Sequence, residues 1–269
     1  MTKPTVLFDV SEGVALVTLH RPEVRNAFGG GMGEELSEVF EQCDADDDIR
    51  AVVVTGTPPA FCAGADLSAG GNTFRSRDTA SFSAAALSKP PWQVRKLVVA
   101  AVNGHAIGLG FTLTLQCDIR IMAAEAKYGI VQVRRGVIGD GYSHWTLPRI
   151  VGQSNAAEIL LTGRVFNGQE MRDLGVCRQV LPDSDVLPAA LELARDVAIN
   201  ASPVSVAVSK RLLWESWDRS ISEVERMETD LHHHLMALPD AREGVEAYLQ
   251  HRQANWRGSP SEQFPTWPL

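Results

Sequence analysis

The sequence predicts an α/β fold that continues into a helical C-terminal region. Short β-branched runs, such as those at 51–55 and 98–102, alternate with segments of helical spacing in the first part of the chain. From residue 186 onward the spacing of apolar residues is helical throughout. We therefore expect two regions, an α/β core over residues 1–195 and a helical region over residues 196–269.

The individual elements follow from local patterns. Two alternating runs within 6–19 meet at Glu12-Gly13, which predicts a β-hairpin. Three mainly apolar runs predict buried strands at 49–55, 98–102 and 119–123, and a shorter run predicts one at 176–180. Helices are predicted at 32–45, 109–116, 153–162, 168–174, 187–200, 203–217, 222–236 and 240–252.

Composition excludes several classes of function. The 269 residues are 45% hydrophobic, which is enough for a sizeable core, and the net charge is −8. This negative charge argues against nucleic acid or an anionic membrane as a partner. The four cysteines form no close pairs, the N-terminus lacks the apolar core of a signal peptide, and no long apolar run occurs. We expect a cytosolic protein with reduced thiols.

Two loops carry the strongest functional signal. Phe61-Cys-Ala-Gly-Ala-Asp-Leu67 follows the first buried strand, and Ala101-Val-Asn-Gly-His-Ala-Ile-Gly-Leu-Gly110 ends the second. In each loop a β-branched run gives way to glycine and other small residues before a helical pattern begins. Backbone N–H groups in the first turn of a helix lack an intrahelical acceptor and carry the positive end of the helix dipole. Two such turns that converge would hold a developing oxyanion between two N–H donors.

A nucleotide-binding loop is the alternative for the second segment. Gly108-Leu-Gly110 matches the start of the Gly-x-Gly-x-x-Gly fingerprint, but the third glycine position is Leu113. That glycine is needed where the helix packs closely on the strand. The sequence therefore does not support a nucleotide cofactor.

The two loops resemble the oxyanion-hole segments of the enoyl-CoA hydratase/isomerase, or crotonase, superfamily. The resemblance continues through Cys117-Asp-Ile-Arg120 and Leu160-Leu-Thr-Gly163, and it reaches 239–248 near the C-terminus. It thus covers nearly the whole chain. It implies a core built as a spiral of β-β-α turns, with C-terminal helices that form a homotrimer or a hexamer.

The same resemblance implies an acyl-CoA substrate and no separate cofactor. The thioester carbonyl oxygen would lie between the backbone N–H groups of Ala65 and Leu109. The positions that match the family's substrate-binding segments are Val24, Asn26, Ala63, Asp66, Leu67, Gly110, Thr112, Gln132 and Arg257. For Arg257 and the neighbouring Arg252, contact with CoA phosphates and a merely charged terminal segment are both open.

Both glutamates of the family's hydratases are missing. Their positions in this chain are occupied by Thr112 and Gln132. Neither side chain can accept and return a proton near neutral pH, and a positioned acid–base group contributes about 10²–10⁴ in rate. We therefore do not expect ordinary hydration of an enoyl-CoA.

Asp140 is the carboxylate left in this neighbourhood. Its position resembles that of a functional aspartate in family dienoyl-CoA isomerases and aroyl-CoA dehalogenases. Asp140 could instead cap the next helix, since aspartate is a preferred N-cap residue, and the two roles are compatible. His144 would lie one turn later on the same face if the helix has already begun, where it could share a proton with Asp140, or it is simply a packed or surface residue.

Two functions from different classes remain open. The first is an enzyme that stabilises an enolate and shifts a double bond, with Asp140 as acid and base. The second is an acyl-CoA binding protein of the same fold without catalysis.

The serine- and alanine-rich stretch 68–91 predicts a helical lid in which Arg75 or Arg77 replaces the family's phosphate-binding lysine. No metal site is expected, because the consecutive residues at 232–234 point in different directions on a helix.

Overall fold

A computed structural model describes residues 3–75 and 83–267 of the chain. The strands in chain order are β1 (Val6–Ser11), β2 (Val14–Leu19), β3 (Ala51–Gly56), β4 (Ala60–Cys62), β5 (Leu97–Val102), β6 (His105–Ile107), β7 (Ile119–Ala123), β8 (Tyr128–Gly129) and β9 (Gln179–Leu181). The helices are α1 (Met32–Ala45), α2 (Leu109–Thr114), α3 (Ser143–Thr162), α4 (Gly168–Asp173), α5 (Asp183–Asn200), α6 (Pro203–Glu215), α7 (Ile221–Met236), α8 (Pro239–Leu249) and α9 (Pro260–Gln263).

The large sheet forms the centre of the core. Its strand order is β1-β2-β3-β5-β7-β9, and all neighbours are parallel except the β1–β2 hairpin. Val53 of β3 lies between Leu16 and Val99 of the adjacent strands, and every residue of β3 is buried. Helix α5 packs against β3, β5 and β7. Strands buried in this way have continuous apolar sequences rather than alternating ones, which explains the β-branched runs.

A second, smaller sheet has the parallel order β4-β6-β8. Each of its strands follows a strand of the large sheet in the chain, so that β3–β4, β5–β6 and β7–β8 form successive turns. This repetition confirms the predicted β-β-α spiral. Because β4 pairs with β6, with Cys62 opposite Ala106, the loops that leave these two strands lie next to each other.

Helix α3 differs most from its predicted bounds. It begins at Ser143 rather than at 153, and its backbone breaks at Gly152 (φ 76°, ψ 164°). Pro148 also lies inside it. Proline and glycine interrupt a helical pattern in sequence, so the prediction started after both of them. Strand β9 also begins later than predicted.

The lid prediction concerns residues 68–91. Residues 76–82, and with them Arg77, lie outside the described part of the chain. On either side the structure has short 3₁₀ turns at Gly70–Asn72 and Pro91–Gln93 rather than an α-helix. The segment 83–91 is attached to the core, since the carbonyl oxygen of Ala84 accepts a hydrogen bond from the Gly141 N–H at 2.8 Å.

The C-terminal helices dock on the core through one buried ion pair. Lys210 of α6 places its ammonium nitrogen 2.7 Å from Asp118 Oδ2, and both side chains are at most 10% exposed. The same ammonium donates to the main-chain oxygens of Pro91 and Lys96 at 2.9 Å. Helices α6 and α7 share a small apolar cluster, formed by Val204, Val208 and Leu231. Over residues 3–75 and 83–267, no helix is long and apolar enough to cross a membrane.

Candidate active site

Glycines let the two loops come into contact. A Cβ added at Gly110 would meet the Cys62 carbonyl oxygen and lie 2.7 Å from Cys62 Cβ. A Cβ added at Gly64, which has a φ of 91°, would lie 2.6 Å from the Ile107 carbonyl oxygen. Real side chains cannot approach backbone this closely. Small residues in both loops are therefore required by packing, as well as by the access that a ligand needs.

The two predicted oxyanion donors are free of main-chain partners in the described part of the chain. Phe28 N–H donates to the Gly64 carbonyl and Asp66 N–H donates to the Phe28 carbonyl, which leaves the Ala65 N–H between them without an acceptor. Leu109 is the first residue of α2, so its N–H has no intrahelical acceptor. The contact between Gly64 and Ile107 places these donors on adjoining segments.

Asp140 lies against the two positions that lack glutamate. Its Oδ1 accepts a 2.8 Å hydrogen bond from Thr112 Oγ1. Burial raises the pKa of the Asp140 carboxyl above its usual range, while the Thr112 hydroxyl, the Gln132 amide and the charge of His144 oppose this rise. The Gln132 amide contributes by proximity, because it does not meet the geometry of a hydrogen bond to any described residue. The three side chains surround one partly buried carboxyl group.

The predicted N-cap role of Asp140 is wrong. The N-cap residue of α3 is Tyr142, in a left-handed conformation (φ 61°), and no side chain caps this end. Asp140 contributes only its main-chain oxygen, which accepts from Ser143 N–H at 2.9 Å. The carboxylate cannot also reach the helix end, because it is turned toward Thr112.

The helix start also changes the interpretation of His144. Asp140 precedes α3, so the two side chains do not share a helix face as the prediction required. His144 is exposed and has no hydrogen bond to Asp140, although its charge favours the ionised carboxylate. Shared proton transfer between them stays a prediction.

Several predicted substrate-binding residues have structural partners. The Asn26 amide is fully buried and donates to the Ala60 carbonyl at 2.7 Å and the Thr57 carbonyl at 2.8 Å, so it holds the first loop in place. Asp66 pairs with Arg21 at 3.0 Å. Hydrogen bonds from Ser68, more than the Arg21 charge, lower the pKa of Asp66.

The remaining predicted contacts divide by exposure. Val24 and Leu67 are exposed, Ala63 is half-buried, and Gly110 and Gln132 are buried beside the second loop. Direct contact of any of these residues with substrate stays a prediction.

The basic residues near the C-terminus are unequal candidates for phosphate contact. Arg252 is paired with both carboxylate oxygens of Glu243, at 2.6 and 2.9 Å. The exposed Arg257 donates only its main-chain N–H, to Asp240, within the described residues. Arg75 is also exposed. Among residues 3–75 and 83–267, no group of three or more His, Cys, Asp or Glu side chains could hold a metal ion.

Sequence reasoning did not find the Thr112–Asp140 contact. Thr112 was expected to touch substrate, yet it is fully buried and its hydroxyl faces Asp140. The two residues are 28 positions apart, so no local pattern links them. The one available signal was Gly141, which lets the main chain pass close to the Thr112 hydroxyl: an added Cβ would lie 2.7 Å from Oγ1.

Known proteins resemble the chain over most of its length. The family model for enoyl-CoA hydratase/isomerase matches residues 9–259. The enoyl-CoA hydratase ACTT3 of Alternaria alternata is 34% identical over 255 residues, which cover 94% of this chain and 86% of the relative. The mevalonyl-coenzyme A hydratase SIDH of Beauveria bassiana is 32% identical and covers 91% and 92% of the two chains.

Solved structures agree with this relationship. A probable enoyl-CoA hydratase/isomerase from Mycobacterium abscessus is 44% identical with a TM-score of 0.91, covering 94% of this chain and 99% of that one. The enoyl-CoA hydratase from Bacillus anthracis is 28% identical with a TM-score of 0.88, covering 95% and 100%. With the spiral core, the paired glycine loops and a family match over nearly all of its length, the chain belongs to the enoyl-CoA hydratase/isomerase family.

Proposed function

We propose that the chain shifts a double bond in an unsaturated acyl-CoA, with Asp140 as the acid and base. The observation that carries this proposal is the partly buried Asp140 carboxyl, which lies against Thr112 and Gln132, where the family's hydratases have glutamates. The free N–H groups of Ala65 and Leu109 supply the second requirement, since donors aimed at developing charge stabilise an enolate more than a ground-state carbonyl.

The reaction needs one base that serves twice. The thioester oxygen accepts hydrogen bonds from the Ala65 and Leu109 N–H groups. Asp140 removes a proton from one allylic carbon, the electron pair moves into a conjugated enolate, and the same carboxyl returns the proton to the carbon at the other end. Because the base, the proton donor and the oxyanion donors are all protein groups, we propose that no separate cofactor takes part.

Substrate contacts come from the walls of this site. We assign Gly110 and Ala63 to the surface near the thioester, and the buried Gln132 amide, which has no hydrogen bond to a described residue, to the acyl group. Arg257 is the better of the two C-terminal candidates for a CoA phosphate, since the guanidinium of Arg252 is already paired with Glu243.

Hydration is the activity in the names of several relatives, and we expect little of it here. Adding water to a double bond needs a base for the water and an acid for the adjacent carbon. Thr112 and Gln132 supply neither, and Asp140 alone leaves one of the two roles empty. The proposed enzyme therefore stabilises an enolate but does not add water to the double bond.

The second candidate function is acyl-CoA binding without catalysis. The observation that favours it is that, among the described residues, Asp140 is the one acidic side chain found against Thr112 and Gln132, where a hydratase has two. Against it stand the two unpartnered N–H donors, because a pure binding protein gains little from donors directed at charge that forms only during reaction.

Proton exchange in D₂O separates the two functions. We expect the protein to bind butyryl-CoA and 3-butenoyl-CoA more tightly than free CoA in calorimetry, and to exchange protons at the α or γ carbon of the unsaturated thioester, followed by NMR. Exchange identifies the enzyme. Tight binding with no exchange across saturated, enoyl and dienoyl thioesters supports the binding protein, and equal affinity for free CoA contradicts both.

We also propose a homotrimer or hexamer in a reducing, cytosolic compartment. Leu231 is buried in the C-terminal cluster, but Leu213 and Trp217 remain 63% and 56% exposed, as do Ile221 and Leu249 at 88% and 69%. This is more apolar surface than a monomer ordinarily leaves in water. Light scattering at micromolar concentration should give three or six times the chain mass of 29.3 kDa, and a monomer mass would contradict the proposal.

A further inference from the structure

Thr112 and Thr114 are two buried threonines on the same helix with different partners. Both hydroxyls face a main-chain oxygen three residues earlier, Leu109 at 3.2 Å for Thr112 and Phe111 at 2.7 Å for Thr114. Among the described residues, only Thr112 has a second acceptor, Asp140 Oδ1 at 2.8 Å. A hydroxyl has one proton, and a carboxylate at the shorter distance is the stronger acceptor. The Thr112 proton therefore goes to Asp140.

The chain is built to permit this contact. Gly141 has a φ of 53°, and a Cβ there would lie 2.7 Å from Thr112 Oγ1. The turn that carries Asp140 can thus pass directly over α2 because residue 141 has no side chain. Gln116, one turn beyond Thr112, donates to the Gly141 carbonyl at 3.3 Å and also holds this turn.

We propose that Thr112 is a positioning residue: its hydroxyl holds Oδ1 of Asp140 and leaves Oδ2 as the atom that removes and returns the substrate proton. This inference rests on the proposed function, since it assumes that Asp140 is the base. A carboxylate fixed by one oxygen keeps the other at a constant orientation toward both carbons of the allylic unit, which proton return to the second carbon requires.

The same hydrogen bond favours the ionised form of Asp140 and so lowers the pKa of its carboxyl. Burial is the largest influence on the Asp140 pKa and raises it, and the Thr112 hydroxyl is the largest opposing influence. The other groups that face the carboxyl are the Gln132 amide and His144. The buried Cys62 thiol is also close: burial raises the pKa of this thiol to about 12, and the charge of Asp140 adds a smaller contribution in the same direction. None of these groups is altered by a change at position 112.

The test compares Thr112→Val, Thr112→Ser and the matched control Thr114→Val. Each valine keeps the shape of threonine and replaces the hydroxyl with a methyl group. We expect Thr112→Val to slow α- or γ-proton exchange in D₂O about ten- to a hundredfold. The pH at which the exchange rate is half-maximal should rise in this variant, because the ionised Asp140 carboxylate loses a hydrogen-bond donor. Butyryl-CoA affinity should stay constant, and Thr112→Ser and Thr114→Val should behave like the wild type.

Three results would overturn the inference. These are a Thr112→Val enzyme with the wild-type rate and the wild-type pH of half-maximal rate, a Thr112→Ser enzyme as impaired as Thr112→Val, or an equal loss in Thr114→Val, which would mean that packing alone is involved. Thr112→Ala, which cannot overfill the site, repeats the comparison if the valine variant folds poorly. Failure of the proposed function looks different, because exchange would then be absent from the wild type or would survive in Asp140→Asn.

Discussion

Replacing Asp140 with asparagine should reduce proton exchange by about 10²–10⁴, the usual contribution of a positioned acid–base group. Asparagine has nearly the same shape and keeps an oxygen that can accept the Thr112 hydrogen bond. It cannot carry a proton between carbons, so only the chemical step is lost. Exchange followed by NMR in D₂O, together with calorimetry of butyryl-CoA, measures the two properties separately, and the affinity should be unchanged.

Stability provides the control for this variant, and its sign follows from the pKa. Burial raises the pKa of Asp140 in the folded state above the unfolded value. The ionised carboxyl therefore destabilises the fold at neutral pH, and the cost is relieved as the pH falls through the folded pKa. Asp140→Asn should be at least as stable as the wild type at pH 7 by urea denaturation. A wild-type exchange rate in a folded Asp140→Asn protein would contradict the assignment of the base.

Replacing Gly110 with alanine should separate the two oxyanion loops. The new Cβ would meet the Cys62 carbonyl oxygen and lie 2.8 Å from Cys62 Sγ, and a buried strand end cannot move aside without a cost of about 1–3 kcal/mol. The Leu109 N–H would move with the loop, and the loss of one oxyanion donor costs about 10²–10³ in rate. Exchange rate and the free energy of unfolding should therefore fall together.

Gly71→Ala is the matched control for this substitution. Within the described part of the chain, no atom lies within 4 Å of a Cβ added at Gly71, and its φ is not positive. The same chemical change there should leave exchange and stability close to the wild type. If Gly110→Ala retained both the wild-type rate and the wild-type affinity for butyryl-CoA, the two loops would not form the oxyanion site.

Local sequence patterns were sufficient for the strands of the large sheet and for the glycine loops, whereas the spiral was implied by the resemblance to a family. A strand buried on both faces must be continuously apolar, so β3 and β5 can be recognised without a structure. A loop that contacts another backbone must consist of small residues such as glycine or alanine, so the segments around Gly64 and Gly110 can be recognised as well. Each of these constraints acts on neighbours in the chain, which is the information that a single sequence carries.

The partners of Asp140 could not be predicted in the same way. An aspartate before a helix has two competing acceptor roles, a helix N-terminus nearby and a hydroxyl elsewhere, and sequence shows only the first. The Thr112 hydroxyl comes from a different turn of the spiral, and it is the group that the Asp140 carboxylate contacts. The helix begins after Tyr142, which has a left-handed conformation, and no side chain caps it. Prediction therefore singled out this carboxylate and misassigned its surroundings.

The buried pair between Asp118 and Lys210 has a consequence for the order in which the chain matures. Asp118 also accepts hydrogen bonds from the Val98 N–H and the Trp214 indole, so one carboxylate joins the strand before the second loop to the C-terminal helices. During synthesis Asp118 leaves the ribosome long before Lys210. Until α6 arrives, Asp118 lacks both the ammonium of Lys210 and the indole N–H of Trp214, so this end of the strand is held by fewer contacts. The strand that leads to the second loop thus reaches its full stability only when the last quarter of the chain has been made and has docked.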